Sequence, residues 1–376
     1  MAGRPAILVF GATGHFGRRI SRRLAAERDI RLIVSSRKAA HAEAVAGEIR
    51  SNVNRDDIEA VALDQASPDL VRQLRELTPT IVIHTAGPYQ GQDYTVALAC
   101  IEAGCNYIDL ADGRAFVVGI RALDNAARSA GVSIIGGAST LPAISAAVVD
   151  SLHGRFRSIE KIETSIAPAH QTPRGIGTVR SVLSYCGAPI ATWRDDRWQT
   201  VYGWQDLRWQ RYPGLGRRLS AACDVPDLEL FPERYAGVHS VSFHAALEAS
   251  WEHISLWSMA ALSRIGVVRD WTRHATRLSA ISEQLIRFGS DRGGMRVRVD
   301  GTTAEGDNLS LHWLLVAERN HGPEIPCTPS ILLAMRMARG ESVEQGAYPC
   351  VGLLSIDEVV QGLSDHAIST AIVEER

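Results

Sequence analysis

At residues 7–20 the chain reads Ile7-Leu8-Val9-Phe10-Gly11-Ala12-Thr13-Gly14-His15-Phe16-Gly17-Arg18-Arg19-Ile20. A short apolar run ends in glycines spaced three residues apart, and Phe16, Ile20 and Leu24 then recur at helical spacing. This pattern predicts a strand, a tight turn and a helix. Glycine tolerates positive φ and has no side chain to keep a phosphate away from backbone N–H groups, while the helix offers the positive end of its dipole. The pattern therefore predicts a phosphate-binding turn, although glycine-rich turns also occur as purely structural connections.

The composition indicates a soluble globular protein of two domains. The chain has 376 residues, 45% of them hydrophobic and 22% charged, with a formal net charge of −2. Such a balance offers no positive field for nucleic acid, so we expect a small-molecule ligand. The six cysteines show no CxxC pair or His-rich neighbourhood, which argues against a metal site and a disulfide scaffold. The N-terminal apolar run is too short for a signal peptide or a membrane span, and we expect a cytoplasmic protein.

The end of the second predicted strand, Arg31–Ser36, distinguishes the two nicotinamide cofactors. An NAD site places a carboxylate there to bind the ribose 2′-hydroxyl. This chain instead has Ser35, Ser36, Arg37 and Lys38, whose hydroxyls and cations match a 2′-phosphate. The sequence therefore favours NADP(H), although Arg37 and Lys38 also fit as solvated surface charges.

Strands alternate regularly with helices up to about residue 150. Six such strands predict an α/β fold with a doubly wound parallel Rossmann sheet, whose ligand lies across the carboxyl ends of the strands. Asp64 ends the third strand, where an adenine contact is expected, and the fourth strand ends at Thr85. We expect the cofactor to contact Gly11, Ala12, Thr13, Gly14, His15, Phe16, Gly17, Ser35, Ser36, Arg37, Lys38, Asp64, Thr85, Ala86, Gly87 and Pro88.

Three later blocks add to the glycine turn: Ala86-Gly87-Pro88-Tyr89-x-Gly91-x-x-Tyr94, Cys100-Ile101-Glu102-Ala103-Gly104-Cys105-x-Tyr107-Ile108-Asp109-Leu110-Ala111-Asp112, and Gly137-x-x-x-x-Pro142. With them the chain resembles the saccharopine dehydrogenase-like family, strongly over residues 5–150. The resemblance implies an NADP-binding domain and hydride transfer on a C–N bond between amino-acid moieties. The family also includes trans-acting enoyl reductases of lipid synthesis, so hydride transfer is implied more firmly than a substrate.

Short-chain reductases share the Gly-Ala-Thr-Gly start but need a Tyr-x-x-x-Lys pair, in which the lysine lowers the tyrosine pKa. The only lysines are Lys38 and Lys161, and neither lies four residues after a tyrosine. That chemistry is therefore excluded. A non-catalytic NADP(H)-binding sensor stays possible, because a sensor needs the cofactor fold and no catalytic group.

Beyond residue 150 the regular alternation of strands and helices ends. Several candidate strands with few crossover helices, including a hairpin around Gly301–Asp307, predict a second α+β domain at residues 151–321 with a mixed or antiparallel sheet. We expect this domain to hold the substrate and to form a homodimer, which is how the resembling family uses it. Helical signals return after residue 322, and the resemblance implies that residues 322–376 pack back against the Rossmann domain of residues 1–150.

Four side chains are candidates for acid–base work: Tyr89, Asp109, Asp112 and His170. Three of them also fit structural roles, because the two aspartates fit equally as helix caps and His170 fits as a solvated loop residue. Ser139 and Thr140 follow the sixth strand, where they are expected beside the nicotinamide and substrate. Arg174 lies near His170 and suits bidentate binding of a substrate carboxylate.

Four tryptophans, Trp193, Trp198, Trp204 and Trp209, fall within seventeen residues. They fit a structural role in the second domain or, as the alternative, an apolar substrate pocket. The resulting hypothesis is an NADP(H)-dependent oxidoreductase acting on an imine or C–N bond. The alternatives are reduction of an activated C=C or C=O bond on a lipid-like or acyl substrate, and the non-catalytic sensor.

Overall fold

The computed structural model describes residues 3–375. The chain divides into two compact units, which interleave along the sequence. The first comprises the described residues up to Ala143 together with Glu324–Cys350, and the second comprises Ile144–Pro323 together with the described residues from Val351 onward.

The first unit is built on a seven-stranded sheet in which every pairing is parallel. Its strands are β1 (Ala6–Phe10), β2 (Arg31–Ser36), β3 (Glu59–Ala62), β4 (Ile81–His84), β5 (Asn106–Asp109), β6 (Ser133–Gly136) and β15 (Gly346–Pro349). Their spatial order is β15-β6-β5-β4-β1-β2-β3. The order reverses between β1 and β4, which makes the loops after these two strands the expected ligand-binding point of a doubly wound sheet.

The helices of this unit are α1 (His15–Leu24), α2 (Ala39–Val53), α3 (Leu70–Leu77), α4 (Thr95–Ala103), α5 (Arg114–Gly119), α6 (Asp124–Ala130) and α12 (Glu324–Ala338). Strand β1 is buried over its whole length, as a central parallel strand covered on both faces must be. Helix α1 buries only one stripe, formed by Gly17, Ile20, Ser21 and Leu24.

The second unit is built on a nine-stranded mixed sheet. Its strands are β7 (Ser158–Ala167), β8 (Pro189–Arg194), β9 (Arg197–Tyr202), β10 (Arg208–Tyr212), β11 (Gly216–Ala222), β12 (Ser240–Leu247), β13 (Gly293–Thr302), β14 (Asn308–Ala317) and β16 (Ile368–Glu375). All its pairings are antiparallel except the one between β12 and β7. Burial alternates residue by residue along β13, so one face of this strand is covered.

The helices of the second unit are α7 (Ser145–His153), α8 (Ile176–Ser184), α9 (Asp227–Arg234), α10 (Ser250–Arg264), α11 (Ala275–Leu285) and α13 (Ile356–Gly362). Short 3-10 turns at Trp271–His274 and Ile286–Phe288 flank α11. In the described part of the chain, residues 3–375, no helix combines the length and apolar character needed to cross a bilayer.

The predicted fold class is confirmed, with two differences in detail. The Rossmann sheet has a seventh strand, β15, because residues 346–349 return to pair with β6. Residues 322–376 were predicted to pack back against the Rossmann domain as one segment, but they are divided between the two units. Residues 324–350 join the first unit, whereas β16 pairs with β14 over eight residues and belongs to the second.

Candidate functional site

The turn between β1 and α1 has the backbone geometry that its glycines predict. Gly11 opens the turn with a φ of +86°, which a residue with a side chain rarely adopts. A Cβ at Gly17 would lie 2.5 Å from the carbonyl oxygen of Gly11 and 2.6 Å from Oγ1 of Thr85. Gly11 therefore permits the turn, and Gly17 permits α1 to pack closely against it.

Helix α1 presents an open N-terminus at this turn. Gly14 is the N-cap residue, it carries no side-chain cap, and it is exposed together with Thr13. His15 and Phe16 begin the helix half-buried, and their rings meet edge to face at 5.2 Å. The first N–H groups of a helix have no partner within the helix, so this end can bind an anion. Ala12 is buried, and its N–H donates to the Ser35 carbonyl at 2.9 Å, which ties the turn to β2.

The last two residues of β2 are buried serines, and the two residues that follow the strand are exposed cations. The Ser35 hydroxyl is fully buried and donates to the Val9 carbonyl at 3.2 Å, so this side chain serves the sheet rather than a ligand. Ser36 is also buried. Arg37 and Lys38 are exposed, and within residues 3–375 neither side chain forms an ion pair or hydrogen bond.

Asp64, after β3, serves a local turn. It is half-buried, and its Oδ1 accepts the Ala66 N–H at 3.0 Å. The carboxylate therefore has a structural use that the sequence did not indicate.

The loop after β4 closes the other side of the glycine turn. The Thr85 hydroxyl lies 2.9 Å from the Phe10 carbonyl and 3.0 Å from that of Gly11, and it donates to this pair. Ala86 and Pro88 are half-buried, Gly87 is exposed, and the Gly87–Pro88 peptide bond is cis. The two loops at the reversal point of the sheet are therefore in direct contact.

Tyr89 lies at the end of this loop, with its phenol turned inward. The hydroxyl is buried and donates to the His84 carbonyl at 2.7 Å. Burial, together with the nearby Asp109 carboxylate, raises the tyrosine pKa well above its usual value. This arrangement suits a structural role better than the acid–base role predicted for Tyr89.

Asp109, at the end of β5, connects two loops beside the site. Its fully buried Oδ1 accepts the N–H of Ala111 at 2.9 Å and that of Gly137 at 2.7 Å. Burial raises its pKa to about 6, even though both N–H donors oppose the rise. The carboxylate therefore holds the ends of β5 and β6 together, a positioning role that the sequence did not distinguish from catalysis.

The remaining predicted residues of this unit lie on the same two loops. Asp112 is exposed and accepts a hydrogen bond from Gln90 Nε2 at 3.0 Å. Ser139 is buried, Thr140 is half-buried, and the loop turns at Gly137 with a φ of +77°. Of the acid–base candidates in the first unit, Asp112 has the most solvent-accessible side chain.

Comparison with protein families gives one match to this part of the chain. Residues 7–135 match the family model described as the saccharopine dehydrogenase NADP binding domain. The expected cofactor class is therefore confirmed at the level of the family.

Matches to solved structures extend over nearly the whole chain. A saccharopine dehydrogenase (L-Glu forming) from Saccharomyces cerevisiae matches with a TM-score of 0.70 and 14% identity, over 99% of this chain and 100% of that one. A probable dehydrogenase from Thermotoga maritima matches with a TM-score of 0.47 and 10% identity, over 95% and 93%. An NAD binding oxidoreductase from Klebsiella pneumoniae gives 0.46 and 13%, over 96% and 94%. Comparison with the curated proteins gave no match.

Beneath the loops of the first unit lies a buried histidine that the sequence did not single out. Nδ1 of His84 is 2.9 Å from the Tyr107 hydroxyl, and burial lowers the histidine pKa to about 3. Burial keeps this imidazole neutral, and it shares a hydrogen bond with the Tyr107 phenol beneath the site. The sequence feature that could have identified His84 is its position as the last residue of an apolar strand.

The other two predicted residues, His170 and Arg174, belong to the second unit. His170 is 4% exposed rather than solvated: its Nδ1 lies 3.3 Å from Glu252 Oε2, and its Nε2 lies 3.0 Å from the Leu285 carbonyl. Arg174 is half-buried in the loop before α8.

Two carboxylates beside His170 were missed from the sequence. Glu252 faces the imidazole, and Glu248 Oε2 accepts the His170 backbone N–H at 3.3 Å. Both follow β12 within a few residues, so their position after a predicted strand was the signal available.

The four clustered tryptophans do not surround one cavity. Trp204 is buried and donates from its indole N–H to the Val182 carbonyl at 2.9 Å, and Trp193 packs edge to face on Trp198 at 5.4 Å. Trp209 is 54% exposed, with the Arg217 guanidinium over its ring. Their separate surroundings favour the structural interpretation over a shared substrate pocket.

Proposed function

We propose that the protein is an NADP(H)-dependent oxidoreductase. The observation that carries the cofactor preference is the end of β2, where Arg37 and Lys38 are exposed and, within residues 3–375, have no side-chain partner. No carboxylate occurs between Arg31 and Ala42 to bind a ribose 2′-hydroxyl. A bidentate guanidinium and a neighbouring ammonium complement a 2′-phosphate.

The residues of the glycine turn fit the pyrophosphate of such a cofactor. Gly14 is exposed and has no side chain, and a Cβ there would lie 3.3 Å from the Gly11 carbonyl oxygen, a tight contact. The open N-terminus of α1 supplies N–H donors and a favourable dipole. When bound, NADP(H) supplies or accepts the hydride, while the chain orients it and positions the loops around Asp109.

We further propose an imine or C–N bond of an amino-acid-derived substrate as the site of hydride transfer. The resemblance of the first domain supports this class. The separate surroundings of the four tryptophans weaken the case for a lipid-like substrate, because that case depended on a shared aromatic pocket. We also propose that the chain forms a homodimer, as the resemblance implies.

The cofactor preference is tested by Arg37→Ala. Losing a charged contact to the 2′-phosphate costs about 1.5–3 kcal/mol, which corresponds to a roughly 10- to 150-fold higher Kd for NADPH. The Kd for NADH should stay within about twofold, because NADH has no 2′-phosphate. Both constants are measured by calorimetric titration.

The matched control is Arg72→Ala, which removes another exposed arginine of the same unit, paired on α3 with Asp69 and Glu76. It should leave both constants unchanged. Equal weakening of NADPH and NADH by Arg37→Ala would overturn the assignment of Arg37 to the 2′-phosphate.

A further inference from the structure

The loop after β7 carries a buried histidine whose two ring nitrogens contact different elements of the second unit. Nε2 of His170 lies 3.0 Å from the carbonyl oxygen of Leu285, the last residue of α11. Nδ1 lies 3.3 Å from Oε2 of Glu252, in the first turn of α10. The side chains of His170 and Glu252 are only 1% and 11% exposed, so bulk water has little access to them. We call these three residues the His170 clasp.

The geometry of the His170 clasp requires an additional proton. A carbonyl oxygen can only accept a hydrogen bond, so Nε2 carries a hydrogen. In a neutral imidazole Nδ1 would then be an acceptor facing a carboxylate oxygen, which also can only accept. Within residues 3–375, neither Nδ1 nor this oxygen of Glu252 has another hydrogen-bond partner. Both atoms are satisfied only when one further proton lies between them.

The charges around the ring favour placing this proton on the histidine. Glu252 faces the ring from α10, and Oε2 of Glu248, just after β12, accepts the backbone N–H of His170 at 3.3 Å. Arg218, on β11, lies 3.7 Å from the same oxygen of Glu248 and balances that carboxylate. Glu252 remains as the counterion of His170, because a buried carboxylate beside a neutral ring would be unpaired and costly.

Residues 285–290 contact His170 through the Leu285 carbonyl and Gly289, neither of which carries a charge. A Cβ at Gly289 would lie 2.2 Å from Cβ of His170, so the chain passes directly against the histidine. Nε2 of Gln171 donates to the Gly289 carbonyl at 2.7 Å. The end of α11 is therefore attached to the unit beside the His170 clasp.

We propose that the His170 clasp is a pH-dependent attachment of α11, closed while His170 is an imidazolium and open once the ring is neutral. Loss of the proton leaves the Nδ1 lone pair facing the Glu252 carboxylate. The closed form holds one proton more than the open form, so closing is favoured as the pH falls and opening as it rises. Helix α11 packs against α8, so opening also loosens the support of α8 and of the loop that carries Arg174. The proposal does not depend on the cofactor or substrate.

Amide hydrogen exchange of the full chain, measured by mass spectrometry from about pH 6 to about pH 9, tests the proposal. The rates are first corrected for the intrinsic pH dependence of exchange. Residues 275–290 should then exchange about 10- to 100-fold faster at the upper pH, because a hydrogen bond between charged groups is lost. Helix α13, in the same unit, should show no such change.

Glu252→Gln separates the proton from the contact. The glutamine amide can donate to a neutral Nδ1, so the His170 clasp closes without the additional proton. Exchange of residues 275–290 should therefore stay slow and independent of pH in this variant. The matched control is Glu283→Gln, which makes the same change at an exposed position of α11 and should keep the wild-type pH dependence.

Nitrogen-15 magnetic resonance of histidine-labelled protein gives an independent measure of the proton. At about pH 7 both ring nitrogens of His170 should be protonated. His170→Asn identifies the signals of this ring by their absence. In Glu252→Gln the ring should be neutral, with its hydrogen on Nε2.

Three results would overturn the proposal. These are a neutral His170 ring in the wild-type chain at about pH 6, exchange of residues 275–290 that does not accelerate as the pH rises, and acceleration that persists in Glu252→Gln. Circular dichroism of each variant shows whether its fold is intact. The first two results are obtained on the wild-type chain and do not depend on how a variant folds.

Discussion

Gly17 illustrates how a single hydrogen atom in place of a side chain sets the packing of the cofactor turn. A Cβ there would lie 2.5 Å from the Gly11 carbonyl oxygen, and the neighbouring backbone has little freedom to move. We expect Gly17→Ala to lower the free energy of unfolding by about 1–3 kcal/mol and to weaken NADPH binding. Urea unfolding and cofactor titration measure the two effects.

The matched control is Gly47→Ala in α2, where a Cβ would meet no heavy atom within 4 Å. Because alanine is the better helix former, this change should raise stability by about 0.5–1 kcal/mol. If both alanines have the same effect, close packing at Gly17 is not what requires glycine.

Asp109 makes stability depend on pH through a buried carboxyl group. Its pKa is about 6 in the folded chain against an ordinary value of 3.8, so the folded state holds the proton more tightly than the unfolded state. The ionised form is therefore destabilising, and the contribution of Asp109 to stability should rise as the pH falls from 7 toward 4. In Asp109→Asn, the change in the free energy of unfolding over this pH range should lose a contribution of roughly 1–3 kcal/mol.

The measurement is the free energy of unfolding against pH, for wild type and variant. Asp112→Asn is the control, because it changes an exposed carboxylate three residues away. An Asp109→Asn curve parallel to the wild-type curve would contradict the role of burial at Asp109.

At the level of single residues, the sequence predicted backbone conformation better than it predicted which side chains are buried. Gly11 and Gly17 could be assigned because positive φ and close approach are local requirements. The burial of both Ser35 and Ser36 could not be predicted, since the surroundings of strand residues depend on the sheet pairing. Tyr89 and His170 are buried by elements distant in sequence, so their burial could not be predicted from the sequence.

At the scale of elements, α13 shows a predicted helix start in full detail. The Ser355 hydroxyl accepts the Glu358 N–H at 3.2 Å, and Glu358 Oε2 accepts the Ser355 N–H at 2.8 Å. Ser355→Ala removes one half of this capping box and should cost about 0.5–2 kcal/mol of stability. Ser364→Ala, just beyond the other end of the helix, should stay within about 0.5 kcal/mol. Chemical unfolding compares them, and equal losses would argue against the cap.

Long-range strand pairing set the limit of prediction among elements. The apolar composition of β1 and β4 was enough to predict both as buried strands. The edge strand β15 is four residues long and includes a proline, so little in its sequence indicates that it pairs with β6 more than 200 residues away. Strand β16 likewise pairs with β14 across the intervening helices α12 and α13.

For the whole molecule, the interleaved chain means that the first unit is not one continuous segment. Its sheet ends in β15, and α12 is joined to α1 by hydrogen bonds from Arg19 to Glu324 and from Arg23 to Thr328. We expect a fragment of residues 1–143 to be markedly less stable than the same fragment joined by a flexible linker to residues 324–350. Urea unfolding of both fragments measures this, and equal midpoints would contradict the assigned composition of the unit.

The proposed function is tested most directly by anaerobic hydride transfer from NADPH. The wild-type chain is mixed with NADPH and, in turn, with imines of amino acids, enoyl thioesters and keto acids, and loss of the reduced nicotinamide absorbance is recorded. The account predicts oxidation of NADPH with an imine, much slower oxidation of NADH, and a selective loss of the NADPH rate in Arg37→Ala. Tight NADPH binding without oxidation by any of these substrates would contradict the account and indicate a cofactor-binding sensor.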